Sequence, residues 1–191
     1  MFENIRVDIG RKQKYYVKPE RRTWFRLYVK TVLQIGTVAV VVYRFGRWVD
    51  RLGIPILREL LLIPYGVAKM LVMIGAGINI QTRAEIGPGF IIHNFSGIFI
   101  PETKIGQNCT VNQGVTIGNI RGEKKRPVIG DNVFIGTGAV ILGDVHIGNN
   151  VVVGANSLVI SSVLDGHTVV GVPARVVSRE PTSEYLKLMD R

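Results

Sequence analysis

The chain has 191 residues, of which 24 are Lys or Arg and 14 Asp or Glu, with 47% hydrophobic residues, 22 glycines and one cysteine. That length suits one domain with an appendage; the aliphatic content excludes a disordered chain, and a single cysteine excludes an intramolecular disulfide or a CxxC metal site. The formal charge of +10 is uneven, because residues 1–85 hold 15 basic and 6 acidic side chains whereas residues 86–191 hold 9 and 8.

Residues 1–20 are polar and charged rather than basic, then apolar, then small. No export signal is expected there, and the expected location is cytoplasmic. Pro19 opens a predicted helical segment over about 20–51, in which Trp24, Leu27, Tyr28, Thr31, Leu33 and Ile35 roughly follow helical spacing. Gly53 and Pro55 break it, and a second helical stretch is expected over about 55–75 with a kink at Pro64. The longest charge-free runs, 31–43 and 70–82, have 13 residues each, short of the roughly 18–20 apolar residues that cross a membrane.

Two readings of this basic half stand side by side. It is a cap on the rest of the fold with a solvated basic face, or it makes a peripheral contact with the inner face of the membrane. The second rests on apolar runs flanked by Arg21, Arg22, Arg26, Lys30, Arg44, Arg47 and Arg51, a pattern that attracts anionic headgroups. No aromatic-interleaved basic sheet or zinc module points to nucleic acid.

From residue 80 onward the period is six. Aliphatic residues fall at Ile80, Ile86, Ile92 and Ile98, then after one extra residue at Ile105, Val111 and Ile117, and after a longer insertion at Ile129, Ile135, Ile141, Ile147, Val153 and Val159. Four places later come small or β-branched residues: Ser96, Cys109, Val115, Val133, Ala139, Val145, Val151, Ser157 and Val163. A period of six fits neither a helix nor a flat strand, but it fits one short strand and one turn per side of a triangular coil. The chain is therefore expected to be mostly β: a helical region at 1–78, a parallel β-helix of about five coils at 79–178, and a tail at 179–191. Cys109 occupies the small-residue slot and is read as core. The exposed coil ends call for caps and for oligomerisation.

The hexad run, the stretch IGPGFIIHNFSGIFIPETKIG at 86–106, the block IGTGAVILGDVHIG at 135–148 and the ending GVPARVV at 171–177 resemble the hexapeptide-repeat acyltransferases of left-handed β-helix fold. Serine acetyltransferase is the nearest branch, with related polysaccharide-biosynthesis acetyltransferases beside it, and the likeness covers roughly residues 74–178. It implies a homotrimer that transfers an acetyl group from acetyl-coenzyme A to a hydroxyl or amine, with a histidine as general base helped by a carboxylate. A metal is not expected, since no His/Asp/Glu cluster has ligand spacing.

The resemblance also distributes roles. Aligned without a gap, His93 and Asn94 stand where serine acetyltransferases have Asp-His, so Asn94 falls on the base position and His93 on the carboxylate that contacts serine. Asn79 falls on the carboxylate that supports the histidine. Of the three histidines, His146 is expected at a surface corner and His167 in the last coil, which leaves His93 as the candidate base. Lys125 and Arg126 replace Arg-His in the family's protruding loop, here residues 119–127, where Arg121 and Lys124 add to a basic cluster suited to coenzyme A phosphates or an anionic acceptor. The coenzyme is expected in a groove between neighbouring coil stacks, at Gly136, Thr137, Ala139, Gly154, Ala155, Pro173 and Arg175.

The altered acceptor positions point to a saccharide hydroxyl in exopolysaccharide or capsule assembly. Two alternatives are a serine O-acetyltransferase with rearranged contacts and a non-catalytic trimeric scaffold. The ending Leu188-Met189-Asp190-Arg191 lacks the final Ile with which serine acetyltransferases engage their cysteine synthase partner.

Overall fold

The computed structural model describes residues 1–16, 31–120 and 125–180. The predicted face of Trp24, Leu27 and Tyr28, the cations Arg21, Arg22, Arg26 and Lys30, the loop residues Arg121 and Lys124, and the tail beyond Glu180 lie outside the described residues. Within them, three helices, α1 (Phe2–Tyr16), α2 (Ile35–Asp50) and α3 (Pro55–Ala76), precede fifteen short strands.

The strands stack into three sheets, one per side of a triangular coil. The first sheet holds β1 (Ile78–Ile80), β4 (Ile98–Ile100), β7 (Thr116–Gly118), β10 (Val140–Leu142) and β13 (Leu158–Val159). The second holds β2 (Glu85–Ile86), β5 (Lys104–Ile105), β8 (Val128–Ile129) and β11 (His146–Ile147). The third holds β3 (Ile91–Ile92), β6 (Thr110–Val111), β9 (Phe134–Ile135), β12 (Val152–Val153) and β14 (Thr168–Gly171), closed by the antiparallel β15 (Ala174–Ser178). All other pairings are parallel, so each strand lies on the one a full coil earlier.

The six-residue pattern works because each side turns one large aliphatic and one smaller residue inward. Ile86, Ile92, Ile105, Val111, Ile117, Ile129, Ile135, Ile141, Ile147 and Val153 are buried, as are Cys109, Val115, Val133, Ala139 and Val151 in the small slot. Burial pushes the Cys109 thiol up to about 12, which keeps it protonated and unreactive.

One hexad is displaced. Register pairs Ile80 with Ile100 and Ile78 with Ile98, so Ile100, not Ile98, continues the column of Ile80. Eight residues separate Ile92 from Ile100, where six separate Val111 from Ile117. The extra two lie in the corner at residues 93–97, and Ser96, expected inward, is instead exposed with φ 102.

The helices differ from expectation in two ways. Helix α1 was not foreseen as a separate element, and the predicted 20–51 segment is not continuous, since the chain bends at Leu33 and Gln34 before α2 begins. Helix α3 does run unbroken through Pro64 and ends on Gly77 at φ 62, a left-handed turn that suits glycine.

These helices terminate the β-helix. The first coil has no earlier coil to bond, so its outward backbone groups need partners. Tyr43 and Arg47 donate to the Ala84 carbonyl, Arg44 to those of Ile86 and Gly87 at 2.6 Å each, Arg11 to Gly89 at 2.6 Å and Lys12 to Ile92 at 2.7 Å. The Phe90 amide donates to Asp8 at 2.9 Å, and Asp8 in turn pairs with Arg44 at 3.0 Å in a buried bridge. Four of the fifteen basic side chains of residues 1–85 thus face inward. Arg44 and Arg47, read from sequence as flanks for lipid headgroups, are spent on this edge.

Candidate active site

The corner that joins the third sheet to the first recurs in every coil, and it gathers six of the twelve predicted site residues into one column. His93 and Asn94 stand in the first coil, Asn112 and Gln113 in the second, Gly136 and Thr137 in the third, and Gly154 and Ala155 in the fourth. Backbone bonds run down it: the His93 amide donates to Val111, Asn112 to Ile135, Gly136 to Val153 and Gly154 to Val169. Asn94 is exposed and donates to Gln113 Oε1 at 2.9 Å, a partner that sequence reasoning did not name.

His93 is half-buried directly after the Ile92 carbonyl that Lys12 holds. Burial foremost, then the positive charges of Lys12 and Arg11, bring its imidazole down to about 4. At neutral pH the ring is therefore uncharged and able to accept a proton. Lys12 itself, buried, is lowered to about 8. Asn79 projects from the outer face of β1 between inward Ile78 and Ile80, and its Oδ1 is buried without a hydrogen-bond partner among the described residues. Its amide brings no charge to offset an imidazolium.

The coenzyme positions divide by exposure. Thr137 and Gly154 are half-buried and Ala155 is exposed, a row of small side chains along the column. Ala139 is fully buried in the coil interior with its amide and carbonyl both paired, so its side chain belongs to the core. The glycines have a reason within the fold: a Cβ on Gly136 would stand 2.6 Å from the Ala155 nitrogen. Pro173 and Arg175 are exposed in the hairpin of β14 and β15 that ends the third sheet.

Lys125 and Arg126 lie elsewhere, at the corner between the first and second sheets. Lys125 pairs with Asp144 at 2.6 Å, Arg126 donates to the Glu102 carbonyl at 3.1 Å, and Thr103 donates to the Pro127 carbonyl. Arg126 also lines an open cleft of about 430 Å³ on the second sheet with Arg83, Glu85, Glu102 and Lys104. Within one chain the pair does not converge with His93. His146 is exposed on β11, a strand rather than a corner, and the half-buried His167 has Nδ1 2.9 Å from the Asp165 carbonyl. Among the described residues no three His, Cys, Asp or Glu side chains are placed to hold a metal.

With this geometry in place, comparison with known proteins narrows the reading. Residues 126–161 match the family described as bacterial transferase hexapeptide (six repeats). A protein of Synechocystis sp. named serine acetyltransferase is 40% identical over 162 residues, covering 83% of this chain and 61% of its own length. The chain thus spans about three fifths of that relative. Among solved structures, serine acetyltransferase from Vibrio cholerae aligns with a TM-score of 0.78 at 26% identity, covering 99% of this chain and 69% of the other. A serine acetyltransferase in complex with CoA aligns at 0.72 and 26%, covering 92% and 68%.

These likenesses overturn the saccharide reading. They favour serine acetyltransferase, and the altered acceptor positions do not exclude it, since Lys125 and Arg126 keep two cations in the loop. The fold expectation holds, including its hand, for parallel strands in three sheets behind an N-terminal helical region match those structures. The chain is a hexapeptide-repeat protein of left-handed β-helix fold, related in sequence and in structure to serine acetyltransferases.

Proposed function

We propose that the chain is a serine O-acetyltransferase that moves the acetyl group of acetyl-coenzyme A to the serine hydroxyl. The observation that supports this most is the single corner column, which sets a neutral histidine at its head and a row of small residues beneath it, in a chain with serine acetyltransferases as relatives. The small side chains of Thr137, Gly154 and Ala155 suit close approach of a pantetheine arm to the backbone, and Arg175 is a cation for a phosphate. Gly136 contributes backbone only. His93 takes the hydroxyl proton as the oxygen attacks the thioester carbonyl, and it returns that proton to the departing thiolate. Asn79 and Asn94, at the neighbouring positions, bring no charge to an imidazolium, and His93 works as a weak base held ready in its neutral form.

Lys125 and Arg126 are the proposed partners of the serine carboxylate. Because they occupy a different edge from His93, the reading includes a homotrimer in which the loop of one copy faces the His93 edge of the next. It also includes a cytoplasmic setting, where acetyl-coenzyme A and free serine are both available. The test is thiol release from acetyl-coenzyme A with serine, wild type beside His93→Ala. Serine-dependent release that falls by about a hundredfold or more in the variant is expected. No serine-dependent release from the wild type overturns the proposal, and release unchanged in the variant removes His93 from it.

A further inference from the structure

Gln113 is fixed in the corner column by the backbone on either side of it. Its own carbonyl accepts from the Gly138 amide at 2.8 Å, and the next amide, that of Gly114, donates to the Ser96 carbonyl at 2.9 Å. The residue is thus clamped between the first coil and the third, and its half-buried side chain meets Asn94, whose Nδ2 donates to Gln113 Oε1 at 2.9 Å. That bond divides the amide in two. The oxygen is taken, whereas Nε2 keeps both of its protons without a partner among the described residues.

The surroundings limit what this donor can serve. None of the eight residues that the first four coils place at this corner is a carboxylate. Asn112, the amide one residue earlier, is spent on the coil, since its Nδ2 donates to the Ile135 carbonyl at 3.0 Å. His93, neutral, is the acceptor of the corner. Acetyl transfer builds negative charge at one atom, the thioester oxygen, as the attacking hydroxyl adds to the carbonyl carbon. Successive coils lie about 4.8 Å apart, and Gln113 is bonded to the residue that follows His93. A base and an oxyanion donor must each come to about 3 Å from the atoms they serve, and one coil spacing between them allows both at a single reacting centre.

We propose that Gln113 is a catalytic residue whose Nε2 donates to the thioester oxygen as it becomes an oxyanion. The proposal rests on acetyl transfer at this corner and adds a side chain to it. The acceptor oxygen bonds to the acetyl carbon while His93 takes its proton, and the carbonyl π pair moves onto the oxygen that Nε2 meets. The pair returns as the carbon–sulfur bond breaks, and the proton passes from His93 to the departing thiolate.

The test compares the whole chain with Gln113→Met, which keeps the length of the side chain and deletes the donor, with circular dichroism on each. Its first arm needs no acceptor. Calorimetry sets S-carboxymethyl-coenzyme A, whose carboxylate brings an anionic oxygen close to the place of the acetyl oxygen, against S-ethyl-coenzyme A, which has none. The wild type is expected to bind the carboxymethyl compound about tenfold or more tighter. Gln113→Met should lose most of that preference while binding the ethyl compound as before, a split that a merely structural role would not produce. The second arm is serine-dependent thiol release, in which the variant should lower kcat by about 10²–10³ with KM for serine little changed. If Gln113→Met unfolds, Gln113→Ala decides, with the same losses expected. A wild type without the preference overturns the proposal, and so does a folded variant that keeps it, which would assign the oxygen to backbone amides of the corner. A preference that the variant erases, in a wild type that releases no thiol with serine, supports Gln113 and removes only the serine assignment.

Discussion

Replacing Lys12 by Met tests whether the N-terminal helix sets the protonation state of His93, which lies some eighty residues away in sequence. Met keeps the length and apolar bulk of the stem and deletes the ammonium that donates to the Ile92 carbonyl at 2.7 Å. His93 is lowered to about 4 by burial first and by Lys12 and Arg11 after it, and the other charged groups packed at this end of the coil are Asp8 and Arg44, paired with each other. Deleting the Lys12 ammonium removes the second of three causes, so the His93 value should rise by roughly 1 at most and stay below 6.5, because burial, the largest, persists. The measurement is an NMR titration of the three imidazoles. In the wild type one ring should stay neutral until pH falls to about 4, and in Lys12→Met that ring should titrate at clearly higher pH. If it titrates near 6.5 in the wild type, or is unmoved by the substitution, the account of the site's electrostatics fails. Linkage supplies a second check. A histidine with a lowered native value binds its proton more readily when unfolded, so wild-type stability falls as pH drops from about 6.5 toward 4. The variant should lose less stability over that window.

Two further outcomes follow from the cap and the corner column. Arg44→Met strands the buried Asp8, whose carboxyl burial already pushes up against the opposing pull of Arg44; urea unfolding should show a loss of about 3–5 kcal/mol, and the double change Asp8→Asn/Arg44→Met should recover part of it. Gly136→Ala sets a Cβ 2.6 Å from the backbone nitrogen of Ala155, so it should lower stability by about 1–3 kcal/mol by thermal unfolding even without coenzyme, whereas Gly53→Ala, with nothing within 4 Å, should not.

The hexad array was legible because coil stacking is periodic. A residue such as Ile135 touches its counterparts Val111 and Val153 above and below, so each inward position repeats the same steric demand. The displaced hexad was not legible, and the reason is local. Ile98 and Ile100 are both aliphatic and both buried, and only the length and left-handed turns of the 93–97 corner decide which of them continues the column of Ile80. Counting in sixes therefore placed Ser96 inside the coil. The same corner carries His93 and Asn94, so the local departure from the repeat coincides with the departure from the family's Asp-His pair.

The site's electrostatics escaped sequence reading for a different reason. A helix that packs on a core shows an apolar stripe, but the face of α1 that meets the coil is Asp8, Arg11 and Lys12, because what it meets is unpaired backbone. Such a face looks solvent-exposed in the sequence, and the basic excess of residues 1–85 then reads as charge in search of an external partner. The carbonyls of Ala84, Ile86, Gly87, Gly89 and Ile92 instead take their donors from within the chain. The cap that closes the first coil is also the element that places Lys12 beside His93. Any change that loosens it should alter the histidine's titration before it alters the coils beneath, since those coils bond to one another through ladders that do not pass through the helices.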